Sequence, residues 1–291
     1  MGRLILNADD FGLTAGVNRA VAELHRAGVL TSTTLMARAA ATDEAIAIAR
    51  ATPTLGVGCH VVLVDGVPVL SPTRDIPHLA DPVEGHFRSS SLLSFIYRLY
   101  RDPWVRYWPS HSFIAREIEA ETAAQIALLQ SKGVVLTHID THKHLHIFPA
   151  VLRPVLRAAR AAGIRAVRNP FEPAWSRRAT PHAPWLRRAQ VSLLRLWEPA
   201  FRRIVAEEGF TTTDGALGVL ATGTLDAATL SSLLRNLPAG TWELVTHPGN
   251  NDADLARAHT RLLASRETER LALGALDLNM ELINFSRLGS G

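Results

Sequence analysis

Val134-Val135-Leu136-Thr137-His138-Ile139-Asp140-Thr141-His142-Lys143-His144-Leu145-His146 starts as an apolar run and within a few residues holds four imidazoles and a carboxylate. A short β-rich apolar run is the signature of a buried strand, and a run that turns this polar at its end marks the strand's C-terminus as a place for chemistry. On an extended strand, positions i, i+2 and i+4 share a face, so His138, Asp140 and His142 line one side. His144 and His146 join them only if the extended geometry persists. A histidine-rich surface loop is the plainer alternative.

Outward from this stretch, strand and helix patterns alternate. Strands are expected at Arg3 to Ala8, Leu30 to Met36, Leu55 to Leu63 and Val134 to Ile139. Helices are expected at Thr14 to Ala27 (stopped by Gly28), Ala40 to Ala51, Ile114 to Lys132 (closed by Gly133) and Ala150 to Ala162 (closed by Gly163). Ile164 to Arg168, Gly218 to Ala221, Trp242 to Thr246 and Leu282 to Phe285 are further strand candidates, with helices from about Asp226 to Leu234 and Asp252 to Leu273. Such alternation implies a parallel sheet with right-handed crossovers, and 291 residues suit one α/β domain spanning 1–291. The expected fold is a β/α barrel of seven or eight strands, with insertions at about 64–111 and 171–210 covering its mouth.

In a parallel barrel the loops after the strands share one face, so residues at strand C-termini converge. Reading those ends gives Asn7, Asp9 and Asp10; His60; the His138 to His146 cluster; Arg168; and Thr246-His247-Pro248-Gly249. Asp10, His60 and His142 would supply a mononuclear metal site of one carboxylate and two imidazoles with an open position, a hydrolytic arrangement. Asp9 is then the general base, His247 the group that protonates the leaving atom, and Arg168 the cation that keeps Asp9 ionised and oriented. Each is bland alone: Asp10 could cap the following helix, and His247 before Pro248 could simply end a strand. Imidazole ligands favour one Zn²⁺, while Mg²⁺, Mn²⁺, Co²⁺ or Ni²⁺ are compatible with mixed nitrogen and oxygen ligation.

The net charge of +4 invites a nucleic-acid partner, but the arginines are dispersed among glutamates, as in Arg116, Glu117, Glu119 and Glu121, and no nucleic-acid-binding signature is present. The single cysteine, Cys59, rules out an internal disulfide framework and reads as a small buried residue in a reducing cytoplasm. Neither a secretory apolar segment nor a spanning stretch is evident.

Two stripes at helical spacing occupy the insertions. One is Leu92, Phe95, Ile96, Leu99 and Tyr100, followed by Trp104, Tyr107 and Trp108. The other is Trp185, Ala189, Leu193, Leu196, Trp197, Ala200 and Ile204, with Arg187, Arg188, Arg195, Arg202 and Arg203 nearby. Basic, Trp-bearing amphipathic helices can lie on a membrane, here its inner face, and most amphipathic helices pack on their own domain. No oligomeric state is specified by these patterns.

Asn7-Ala8-Asp9-Asp10-Phe11-Gly12, Gly58-Cys59-His60, His138-Ile139-Asp140-Thr141-His142-Lys143-His144 and Thr246-His247-Pro248 resemble the motifs of the YdjC-like (ChbG) carbohydrate deacetylases, from about residue 3 to the C-terminus. The resemblance implies a distorted barrel similar to polysaccharide deacetylases and removal of acetyl groups from N-acetylated sugars with one divalent metal. It implies Asp10, His60 and His142 as ligands, Asp9 as base and His247 as acid, and Arg168-Asn169-Pro170 is similar to the arginine motif that positions the base. Asn7, His138, Asp140, His144 and His146 remain as substrate-contacting or supporting residues. Thr211-Thr212-Thr213-Asp214-Gly215 and Trp242 to Asp254 look like the hopanoid-biosynthesis-associated branch, whose substrate is an N-acetylglucosaminyl group on a bacteriohopanepolyol glycolipid. The competing functions are a chitooligosaccharide deacetylase, a metal phosphoesterase on a similar barrel, and a catalytically silent glycolipid-binding protein.

Overall fold

Seven parallel strands carry the structure, a computed structural model that describes residues 2–71, 73–89, 91–101, 112–235, 237–258, 260 and 262–288. They are β1 (Gly2–Phe11), β2 (Ser32–Leu35), β3 (Gly56–Val61), β4 (Leu136–Thr141), β5 (Gly215–Leu217), β6 (Gly240–Thr246) and β7 (Glu281–Leu282). Their order is β4-β3-β2-β1-β6-β5, with β7 on β1. The first half of β1 pairs with β7 and its second half with β2, so β7 wedges in beside the start of the central strand.

The circuit closes through extended backbone. Ile139 N–H donates to Ala166 O and Arg168 N–H to Ile139 O on one side, and Ala216 N–H donates to Phe171 O on the other. Residues 165–171 therefore fill the gap between β4 and β5, although only Ala166 and Val167 form bridges and no regular strand spans Ile164 to Arg168. This is the distorted α/β barrel the pattern predicts.

Other boundaries differ from expectation for local reasons. The strand near Gly218 is Gly215–Leu217, because Gly218 takes φ +86° and turns the chain out of the sheet. The helix expected from Asp252 to Leu273 is two, Ala253–Arg257 and Ser265–Gly274, with Ala258 in extended backbone. The helix Ala15–Arg26 is capped by Thr14, whose hydroxyl accepts from Val17 N–H, so Asp10 is not its cap and is free for other work.

The main apolar core lies between sheet and helices, where Leu4, Leu6 and Ala8 meet Val17, Val21 and Leu24. The other face of β1 turns into the barrel. There Ile5, Ala166, Ile283 and Phe285 form a small apolar cluster, and Phe285 stacks on His138 with ring centroids 3.8 Å apart and planes 12° from parallel. Gly58 makes that stack feasible, since a Cβ there would lie 2.5 Å from His138 Nε2. Cys59 points the opposite way and is fully buried, and burial pushes its thiol up, as expected of a packing residue.

Both insertion stripes divide their residues between inside and outside. Phe95 and Leu99 are buried while Leu93 and Tyr97 are exposed on the helix Leu92–Arg101; Trp104, Tyr107 and Trp108 lie outside the described residues. Trp185 and Leu196 are 78% and 73% exposed, whereas Ile204 is buried and Trp197 packs edge-on against Phe148. Among the described residues no helix is long and apolar enough to cross a membrane.

Candidate metal centre

Strand register sets the site. Ala8 pairs with Thr33 and Thr246, and His60 with Asp140, so the ends of β1, β2, β3, β4 and β6 reach one level at the C-terminal rim. Strict alternation would send Asp9 and Asp10 to opposite faces. A register shift between Ala8 and Phe11, with Asp10 at φ +63°, turns Asp10 back so that both carboxylates reach the same mouth.

Asp10 Oδ1 lies 3.4 Å from His60 Nε2 and 3.4 Å from His142 Nδ1, and those two nitrogens are 3.3 Å apart. A four-coordinate cation with bonds of about 2.0–2.1 Å has ligand edges of about 3.3–3.4 Å. Asp10 Oδ1 is buried and accepts no hydrogen bond, an orphan that a cation would satisfy. The donor set and its spacing therefore fit one divalent ion, which Asp10, His60 and His142 would hold.

Each ligand is held from behind. His60 Nδ1 donates to Asp140 Oδ1 at 2.8 Å, which turns Nε2 toward the triangle in the carboxylate–histidine pattern of metal sites. Burial disfavours the His60 imidazolium, but Asp140, with Asp10 and Asp9, pushes its pKa up to about 10. Asp10 Oδ2 accepts from Arg266 Nη2 at 2.5 Å. Burial would raise the Asp10 carboxyl, and Arg266, with His142 and His60, holds it well below the usual carboxylate range instead. His142 begins the 3₁₀ turn His142–Ile147, in which Lys143 and His144 both take positive φ. Extended geometry ends at Thr141, so His144 and His146 leave the strand face.

The base candidate is fixed more firmly still. Arg168 grips Asp9 through Nη1–Oδ2 at 2.8 Å and Nη2–Oδ1 at 2.6 Å, donates from Nε to Glu243 Oε1 at 2.8 Å, and also closes on Asp140. Asn7 Nδ2 and Thr34 Oγ1 add donors to Asp9 Oδ1 at 2.9 and 3.1 Å. Burial opposes ionisation of Asp9, but Arg168, His60 and His247 outweigh it and hold the carboxyl below its normal range. A second carboxylate and imidazole cluster, Asp9, His60 and Asp140, is close enough to ligate, but Arg168 already supplies its positive charge.

His247 Nε2 stands 3.8 Å from Asp9 Oδ2, and burial lowers its pKa to about 4, so it is neutral near pH 7. Its backbone N–H donates to Glu269 Oε2 at 2.7 Å. Of the remaining residues read from the sequence, Asn7 and Asp140 support Asp9 and His60. His138 fills a deeper layer on Phe285, and burial lowers its pKa to about 3. His146 Nδ1 pairs with Thr141 Oγ1 at 2.7 Å, and neither it nor His144 enters the triangle.

Four contributors escaped sequence reading: Thr34, Glu243, Arg266 and Glu269. Glu243 had a signal, a charge inside the apolar strand Trp242 to Thr246; burial raises it to about 7 against the pull of Arg168. Arg266 had none, since 256 residues separate it from Asp10.

Among the described residues, fold and site together define a distorted α/β-barrel protein with a three-residue candidate metal centre beside an arginine-clamped carboxylate. The chain belongs to the YdjC-like protein family, whose model matches residues 3–279. It is 42% identical to a carbohydrate deacetylase of Brevibacillus brevis over 157 residues, which cover 54% of this chain and 55% of that protein. The chain thus spans about half the length of that curated relative. A carbohydrate deacetylase of Thermoanaerobacter pseudethanolicus matches end to end, with 27% identity over 99% of this chain and 100% of that one. A solved structure from Enterococcus faecalis V583, named for its proposed cleavage of cellobiose phosphate, shares the fold with a TM-score of 0.74 and 24% identity over 97% of each chain.

Proposed function

We propose that this protein hydrolyses the N-acetyl group of an amino sugar with one divalent metal, Zn²⁺ favoured. The observation that carries the reading is the open triangle of Asp10, His60 and His142 with the ionised Asp9 beside it. A cation held there supplies Lewis acidity to the acetyl carbonyl and to water. Asp9, pinned by Arg168, accepts the proton of the attacking water as oxygen bonds to the carbonyl carbon. His247 enters neutral, so the proton it gives the departing nitrogen is the one Asp9 took, passed across the 3.8 Å gap as the C–N bond breaks. One proton leaves water and one reaches the amine.

The finer reading is a glycolipid substrate, an N-acetylglucosaminyl hopanoid. Its support is the resemblance of Thr211–Gly215 and Trp242–Asp254 to that branch and the exposed apolar face of Trp185, Leu186, Leu193 and Leu196 on an insertion that follows a rim residue, Arg168. Such a face can rest on lipid at the cytoplasmic side of a membrane. Mass spectrometry of products from metal-replete protein given the hopanoid or chitooligosaccharides tests both levels. Loss of one acetyl from the hopanoid alone is expected, loss from chitooligosaccharides alone refutes the lipid reading, and loss from neither refutes the deacetylase. Asp9→Asn should keep the metal and lower kcat by about 10²–10⁴-fold; full turnover would remove Asp9 from the mechanism.

A further inference from the structure

Arg266 and Arg168 are the two largest fully buried side chains of the described residues, and each serves one member of the Asp9-Asp10 pair. Arg168 clamps the base candidate through both oxygens, whereas Arg266 takes only the outer oxygen of Asp10 and leaves Oδ1 facing His60 and His142. Arg266 sits at the start of the helix Ser265–Gly274, one turn before Glu269, which accepts the backbone N–H of His247. Its backbone carbonyl accepts from Gly249 N–H, and its side chain packs on Gly249, where a Cβ would lie 3.2 Å from Arg266 Cδ. A single helix therefore reaches a ligand with one residue and the loop bearing the acid candidate with another.

We infer that Arg266 is the positioning residue of the metal centre: by occupying Asp10 Oδ2 it holds that carboxylate to a single ligating oxygen and aims Oδ1 at His60 and His142. This rests on Asp10 being a ligand, but not on the reaction being deacetylation. Groups hydrogen-bonded behind metal ligands typically carry 10–100-fold in affinity.

The test is isothermal titration of chelator-stripped protein with Zn²⁺, alongside circular dichroism. Arg266→Met should bind about 10–100-fold more weakly than wild type, and Arg266→Lys, which keeps a cation and one donor for the single contact, should recover most of that loss. Wild-type affinity in a folded R266M, or an R266K as weak as R266M, overturns the inference. If R266M does not fold, Arg266→Gln carries the comparison: a loss between the Met and Lys expectations supports the role, and no loss ends it. Asp10→Ala separates the two levels. Unchanged Zn²⁺ binding in D10A refutes the ligand reading itself, whereas lost binding in D10A and weakened binding in R266M, with no acetate released from any substrate by metal-replete wild-type protein, refutes the deacetylase reading and leaves Arg266 where it is placed here.

Discussion

Replacing Arg168 with Met removes the buried cation shared by Asp9, Asp140 and Glu243 while keeping a long apolar side chain. After the change Asp9 retains Asn7 and Thr34 as donors, Asp140 retains His60, and among the described residues no other donor reaches Glu243 Oε1. Glu243 already titrates at about 7, so it takes a proton cheaply, and the cost falls on Asp9 and Asp140. Removing one partner of a buried ion pair costs about 3–5 kcal/mol, which at about 2 °C per kcal/mol for a chain of this size is a fall of about 6–10 °C in Tm. The pH dependence has a definite sign. In the wild type Asp9 and Asp140 have lowered pKa values, so their contribution is present above the unfolded value near 3.8 and is lost as pH falls through the folded one. In R168M burial is opposed only by the weaker pull of His60 and His247 and the donors Asn7 and Thr34, so both values rise and the folded variant gains protons on acidification. The deficit measured by urea unfolding in chelator should be about 3–5 kcal/mol at pH 7.5 and smaller at pH 5. A deficit under about 1 kcal/mol, or one that widens at pH 5, would refute the view of Arg168 as the charge-compensating centre.

Three further outcomes follow from other parts of the molecule. His142→Ala should abolish stoichiometric Zn²⁺ binding while His144→Ala keeps it, read by metal analysis after dialysis; the reverse pattern would overturn the ligand choice. Gly58→Ala should cost about 1–3 kcal/mol in urea unfolding, because the new methyl meets a His138 ring that Phe285 prevents from retreating. Glu172 is buried and raised to about 7, so its contribution is full below the unfolded pKa near 4.5 and is lost as pH rises through 7. Glu172→Gln should therefore gain stability relative to wild type between pH 4.5 and 8, and a pH-independent difference in Tm would contradict that.

The parts legible from sequence were those written locally. Asp9, Asp10, His60, His142, Arg168 and His247 stand where a strand pattern ends, and the barrel rule gathers strand ends without knowledge of any contact. His144 and His146 could not be separated from His142 in this way, because the turn that removes them depends on left-handed backbone at Lys143 and His144, which neither residue type announces. Glu243 was half-visible as a charge in a strand. Arg266 and Glu269 were invisible, since their value comes from where one helix docks. The bulge at Asp10 was equally hidden, yet it decides that adjacent carboxylates reach one mouth.

The stack of His138 on Phe285, above Ile5, Ala166 and Ile283, seals the barrel from beneath. Among the described residues this apolar plug lies on the side of the candidate centre away from the rim, so a substrate of the proposed reaction is expected to arrive from the rim. On the proposed reaction, a bulky sugar seated at the rim would stand between solvent and Asp9, and the attacking water would have to be in place before it docks.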